Sequence, residues 1–239
     1  MPKVDINSPY YPYLKVQTGN YNFKQYAEFP RLICDYLMDM PQGEYSPKDD
    51  NNRPRVRLWK YLYNDGEHPL LSSLPSPEQK IAVIFNPDKP TEPPTDKGYR
   101  LIPQQYIKPA QDAAQTRIYV YLGRTISQDD YTYTASVVFD IFTHYTYELN
   151  TRSDEYSRSG AIVAALIEAL DGVNITGVGT FSFSRRAHPD CCTKPIFDGN
   201  TNVGQELIIG LKMATTEDVD ITEFSNMPFA VSGGTQRLI

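Results

Sequence analysis

The stretch that decides the fold is RIYVYLGRTI at residues 117–126, SQDD at 127–130 and YTYTASVVFDIFTHYTYEL at 131–149. In the first limb Ile118, Val120 and Leu122 alternate with Tyr119 and Tyr121. In the second, Tyr133, Ala135, Val137, Phe139, Ile141, Thr143, Tyr145, Tyr147 and Leu149 take every second position. A period of two places side chains alternately on the two faces of a strand, so the stretch predicts a long β-hairpin turning at Gln128, Asp129 and Asp130. If 133–149 stays extended it reaches roughly 55 Å at about 3.3 Å per residue, far beyond the common strand of about five or six residues. Such a ribbon is expected to bend through a bulge, or to project and lie against another chain.

Working outward, TRSDEYSRSGAIVAALIEALDG at 151–172 sets Ile162, Val163, Leu166, Ile167 and Leu170 on one helical stripe, with Ser153 or Asp154 as cap and Gly172 as the end. Residues 180–186 and 205–214 read as two further strands, separated by a polar loop at 188–204 that is expected to be presented to a partner. The order β-β-α-β-β implies an α+β fold: an antiparallel or mixed sheet with a long hairpin and one main helix across it.

Upstream, Phe29, Leu32, Ile33, Tyr36, Leu37 and Met40 share one face of a helix over 28–40, entered at Pro30 and stopped by Pro41. RVRLWKYLYNDG alternates Val56, Leu58 and Leu62 against Arg55, Arg57, Trp59, Tyr61 and Tyr63, which favours a strand; 81–85 is a second, short strand candidate. Proline marks 64–80 and 86–98 as loops. The organisation expected is thus an aromatic N-terminal arm at 1–27, one α+β domain over 28–215 and a C-terminal extension at 216–239.

The chain of 239 residues carries 29 Asp and Glu against 23 Lys and Arg, a net charge of −6. That sign is opposite to the basic footprint of proteins that grip phosphates, which argues against a sequence-reading DNA binder. No run of eighteen apolar residues occurs, and the opening residues lack the charged-then-apolar order of an export signal, so neither membrane insertion nor secretion is expected. Cys34, Cys191 and Cys192 make no even disulfide framework, which suits a reducing compartment. The 18 tyrosines suit contact surfaces as well as core edges.

His188, Asp190, Cys191 and Cys192 form the one cluster with the residue types of a metal or thiol site. Neighbouring cysteines point apart, and no second ligand pair stands elsewhere at zinc spacing, so neither a metal nor another cofactor is expected. Gly177 and Gly179 follow a helix and precede a strand, the reverse of a phosphate loop, and read as turn glycines. Arg158, Arg185 and Arg186 are basic points that could pair with acids of an adjacent subunit.

RLIPQQYIKPAQDAAQTRIYVYLG (100–123), VVFDIFTHYTYEL (137–149), SRSGAIVAALIEAL (157–170), GVGTFSFSRR (177–186) and ELIIGLKM (206–213) together resemble the tail-terminator and neck proteins of tailed bacteriophages. The resemblance covers about half of the chain and lies in hydrophobic order rather than in a catalytic motif. It implies a non-enzymatic structural protein of the virion, made in the host cytoplasm. The implied assembly is a hexameric ring that caps the tail tube and joins it to the head-connector proteins. Six chains of −6 carry −36, so genomic DNA would pass through the lumen without specific binding. The interface residues expected are Gln128, Asp129, Asp130, Tyr145, Tyr147, Arg158, Arg185, Arg186, His188, Asp190, Cys191 and Cys192. Three alternatives stand beside this reading: another connector or adaptor of the virion, an intracellular hydrolase or zinc protein using the His188/Cys191 loop, and a non-viral binding module with an aromatic face.

Overall fold

A computed structural model describes residues 26–39, 53–65, 72–90, 92, 98–105, 114–128, 132–149, 157–199 and 201–214. The arm at 1–25, the extension at 215–239, Asp129, Asp130, the proposed caps Ser153 and Asp154 and much of the 86–98 loop lie outside the described residues.

The elements run α1 (Phe29–Met38), α2 (Pro54–Tyr63), α3 (Pro77–Val83), β1 (Leu101–Ile102), β2 (Thr116–Ser127), β3 (Thr132–His144), α4 (Tyr145–Leu149), α5 (Arg158–Leu170), β4 (Asn174–Ile175), β5 (Gly179–Ser182), β6 (Cys192–Asp198) and β7 (Asn202–Ala214). They build an α+β fold around a mixed, strongly curled seven-stranded sheet in the order β1-β2-β3-β7-β5-β4, with β6 also on β7. Among the described strands, only β1, beside β2, pairs in parallel. Among the described residues no helix is long and apolar enough to cross a membrane.

One face of the sheet is the core. Ile118 and Val120 of β2, Ala135, Val137, Phe139 and Ile141 of β3, and Leu207, Ile209, Leu211 and Met213 of β7 meet α1, α2 and α5 there. These are the alternate positions that the period of two singles out. The α5 stripe of Ile162, Val163, Leu166 and Leu170 packs onto them as predicted, but its cap is Ser157, whose hydroxyl accepts from Gly160 N–H at 3.0 Å. Phe29, Ile33 and Leu37 bury the predicted face of α1.

Four sequence expectations give way. Residues 54–63 are helical, not a strand. The alternation sets Trp59 and Tyr61 on a polar side, yet both are buried, and Leu58, Trp59, Tyr61 and Leu62 then trace a helical stripe. Pro54 suits the first turn, and the Trp59 indole N–H donates to Leu37 O at 2.8 Å, tying α2 to the end of α1. Residues 81–85 are not a strand either. Ser76 and Gln79 form a capping box before Pro77–Val83, and the apolar run is the end of that helix followed by buried Ile84 and Phe85.

The third correction concerns the ribbon. β3 stops at His144, because β7 begins at Asn202 opposite it and offers no partner beyond. Tyr145 N–H instead donates to Thr201 O at 2.8 Å, and Tyr145–Leu149 turns as a helix. Glu148 then accepts from Ser159 N–H at 3.0 Å and Ser159 Oγ at 2.7 Å at the start of α5, where the helix dipole favours an anion. The 13 residues of β3 span roughly 43 Å. They are paired by β2 on one edge and along their whole length by β7 on the other, so this ribbon is clasped by its own chain. The hairpin does carry a bulge, but in the other limb: Gly123 and Arg124 of β2 stand against Ser136 alone, where the register shifts between Leu122 and Thr125.

Fourth, the 188–204 loop contains strand β6, and β7 opens at Asn202 rather than 205. The two form a hairpin through a turn with Gly199 at φ 62°. β5 in turn ends at Ser182, short of the predicted 186.

Candidate interaction surface

At the end of the sheet where β3 meets α4, the His144 ring lies tilted 4.7 Å from that of Tyr145 and meets that of Tyr147 edge-on at 6.0 Å. The β6–β7 turn lies alongside, held by the Tyr145–Thr201 hydrogen bond. On β6 Phe197 faces Val203 of β7, which faces Thr143 of β3, so two strand spacings of about 5 Å each separate Phe197 from the end of β3. Phe197 is 72% exposed and Tyr145 is 48% exposed. Single exposed apolar groups are ordinary on a protein surface, whereas large aromatic groups gathered at one rim are what partner surfaces use.

The backbone edge of β6 is a poorer docking edge than its side chains. Pro195 has no N–H to donate, and Lys194 places a charge on the strand, two devices that discourage strand addition. Lys194 Nζ stands 2.8 Å from Glu206 Oε1 on β7, which raises the lysine pKa.

The other expected interface residues fall in several places. Gln128 N–H donates to Thr132 O at 3.0 Å and closes the described end of the β2–β3 hairpin. Tyr147 lies under the guanidinium of Arg158 at 5.7 Å. Arg158 itself is a correction: it is 1% exposed, and its Nη2 donates to Tyr61 O and Asn64 O, capping the end of α2. It works inside the fold and cannot meet a partner. Arg185 and Arg186 are exposed in the turn after β5, whereas Arg158 is enclosed beside α2, so the three make no shared patch.

That turn seats on β7 at Gly210, where a methyl would press on Ala187 and His188. His188 is fully buried, with Nδ1 accepting from Asp190 N–H at 3.3 Å; burial pushes its pKa down while Asp190 pulls it up. Cys191 is buried with its thiol 3.8 Å from Ser182 O, and burial pushes that thiol up, away from thiolate chemistry. Cys192 is half-buried, and all three cysteines are free. Among the described residues no three His, Cys, Asp or Glu side chains gather as they would around a metal ion.

Phe197 and His144 carry no signal in the sequence. The one lies in a segment too polar to show a period, and the other looks like any polar residue of the long strand. A family model described as YomW matches residues 56–199, more than half of the chain. No curated protein and no solved structure matches.

Proposed function

We propose that this chain, which belongs to the YomW family, is a structural subunit of a tailed-phage particle. In this reading it assembles into a hexameric ring where the tail tube meets the head connector. The observation that supports the reading best is that two large aromatic side chains, Phe197 on β6 and Tyr145 just past β3, are exposed at the same end of the β3–β7–β6 ladder. A rim of that kind is a contact surface for another protein, and a second copy of the chain is the partner proposed for it. The resemblance of its hydrophobic segments to tail-terminator and neck proteins is what suggests this place in the particle. The acidic balance of the chain supports a lumen that DNA traverses without sticking.

The contact is side-chain packing rather than strand exchange, because β3 has both edges filled and β6 has a blunted one. Sedimentation velocity of the full chain tests it. Closed oligomers are expected for the natural sequence, and monomers for a variant with Phe197→Ser and Tyr145→Ser together. Equal oligomers from both chains would remove the rim from the assembly contact, and a natural chain that stays monomeric at all concentrations would overturn the ring.

A further inference from the structure

The sheet face turned away from the helices carries a row of polar groups across four strands. Tyr119 of β2 is opposite Asp140 of β3, Asp140 opposite Glu206 of β7, and Glu206 opposite Lys194 of β6. Directly opposite residues of an antiparallel pair place their side chains on one face, with Cβ atoms about 5 Å apart. Tyr121 OH donates to Asp140 Oδ2 at 3.1 Å, and Lys194 holds the far side of Glu206. Asp140 is 8% exposed, and its second oxygen, Oδ1, is buried without a donor. Glu206 is the residue directly opposite Asp140 in the ladder, and its carboxyl is one of the groups that push the Asp140 carboxyl up.

Two carboxylates are acceptors only, and like charges directly opposite in a ladder repel. One hydrogen between them converts the repulsion into a short, charge-assisted O–H···O bond. We propose that Asp140 and Glu206 share a single proton, making their row a proton-sensitive latch at the middle of the β3–β7 ladder. The latch is closed when the proton is held, and loss of the proton leaves two like charges facing each other across the strands. With Lys194 counted, the closed row is neutral and the open row carries one net negative charge.

The surroundings fit. Burial is the main force raising the Asp140 carboxyl to about 6, with the Glu206 charge adding to it; Tyr121 and Lys194 pull the other way. Tyr121 is pushed up in turn, by burial and by Asp140. Among the described residues the other titratable or charged groups of this face are Tyr119, Arg117 and Arg124 on β2, His144 on β3, Cys192 and Asp198 on β6, Lys212 on β7, and His188 and Asp190 in the turn seated on Gly210. The latch is independent of the ring reading, since it concerns one chain.

Side-chain carboxyl carbon NMR of the full chain tests it. In the natural protein the Asp140 resonance should titrate near 6, above the ordinary 3.8. Glu206→Gln supplies an amide donor in place of the shared proton, and should lower that midpoint by at least about one unit. Lys194→Gln alters a largely exposed side chain, is expected to fold, and should raise the midpoint. An ordinary midpoint in the natural protein overturns the latch, and so does a midpoint that ignores both substitutions.

Discussion

Replacing Asp140 with asparagine puts a number on the carboxyl pair. The Asp140 carboxyl stands at about 6 in the folded chain against 3.8 when unperturbed, chiefly because it is buried. One unit is worth about 1.4 kcal/mol, so folding favours the protonated form by on the order of 3 kcal/mol. The folded value lies above the unfolded one. Stability from this group is therefore whole below pH 3.8 and is lost as pH rises through 6. In the Asp140→Asn variant the new amide would still accept from Tyr121 and would donate an N–H to Glu206, with no charge to gain at any pH. Urea unfolding at steps between about pH 3 and about pH 8 should show the two proteins equal at the acid end. At the alkaline end the variant should be more stable by up to about 3 kcal/mol, roughly 1 M in urea midpoint. Curves that keep a constant separation across that range would refute the reasoning, because the difference would then owe nothing to a proton.

Further substitutions test the packing. Arg158→Met strips Tyr61 O and Asn64 O of their buried donor and should cost about 2–4 kcal/mol in urea unfolding, whereas a residue on an open interface would cost almost nothing. Gly204→Ala would drive a methyl against the Ile141 carbonyl oxygen across the β3–β7 ladder, and thermal unfolding should fall by the equivalent of about 2–3 kcal/mol. Ser76→Ala breaks the capping box of α3 and should cost about 1 kcal/mol in urea unfolding. Phe197→Ser, by contrast, should leave the unfolding of a single chain within about 0.5 kcal/mol of the natural value, since its ring is largely in water.

Periodicity made the core legible where a strand or helix keeps its large apolar side chains to one face. The alternation of Ile118, Val120, Val137, Phe139 and Ile141, and the α5 stripe, name the residues that meet in the core, although the other face of β3 is buried as well. It failed where aromatic side chains are buried on several sides or where most side chains are exposed. In α2 the aromatic Trp59 and Tyr61 are buried among neighbours on several sides, so assigning them to a polar side produces a false period of two. In β6 most side chains are exposed, so no period exists to read, and the strand forms because β7 offers it a ladder. The alternation through Tyr145, Tyr147 and Leu149 is true to a strand locally, but a strand needs a partner and β7 does not reach that far. The capping signal at Ser76 and Gln79 is present in the sequence and is outweighed by the prolines around it.

For the candidate site the lesson is similar. Tyr145 and Tyr147 can be picked out by residue type and position on the hairpin. Phe197 cannot, because its β6–β7 hairpin is set in a polar segment with no readable period, and its place near the end of β3 follows only from the pairing of β7 with β3. The same holds for Asp140, Glu206 and Lys194, which become a row only through the register of β3, β7 and β6. Asp140 leaves one trace, a single carboxylate inside the apolar run VVFDIF. Arg158 misleads for the opposite reason: a guanidinium at the start of a helix reads as exposed until the carbonyls at the end of α2 are seen to surround it.

Electron microscopy of the purified full chain, at concentrations from dilute to those of assembly, bears most directly on the proposed role. Closed rings of one size with a central opening are the predicted result, with the Phe197 rim at the contact between neighbouring subunits. Fields of single particles of one chain's mass at every concentration would contradict it.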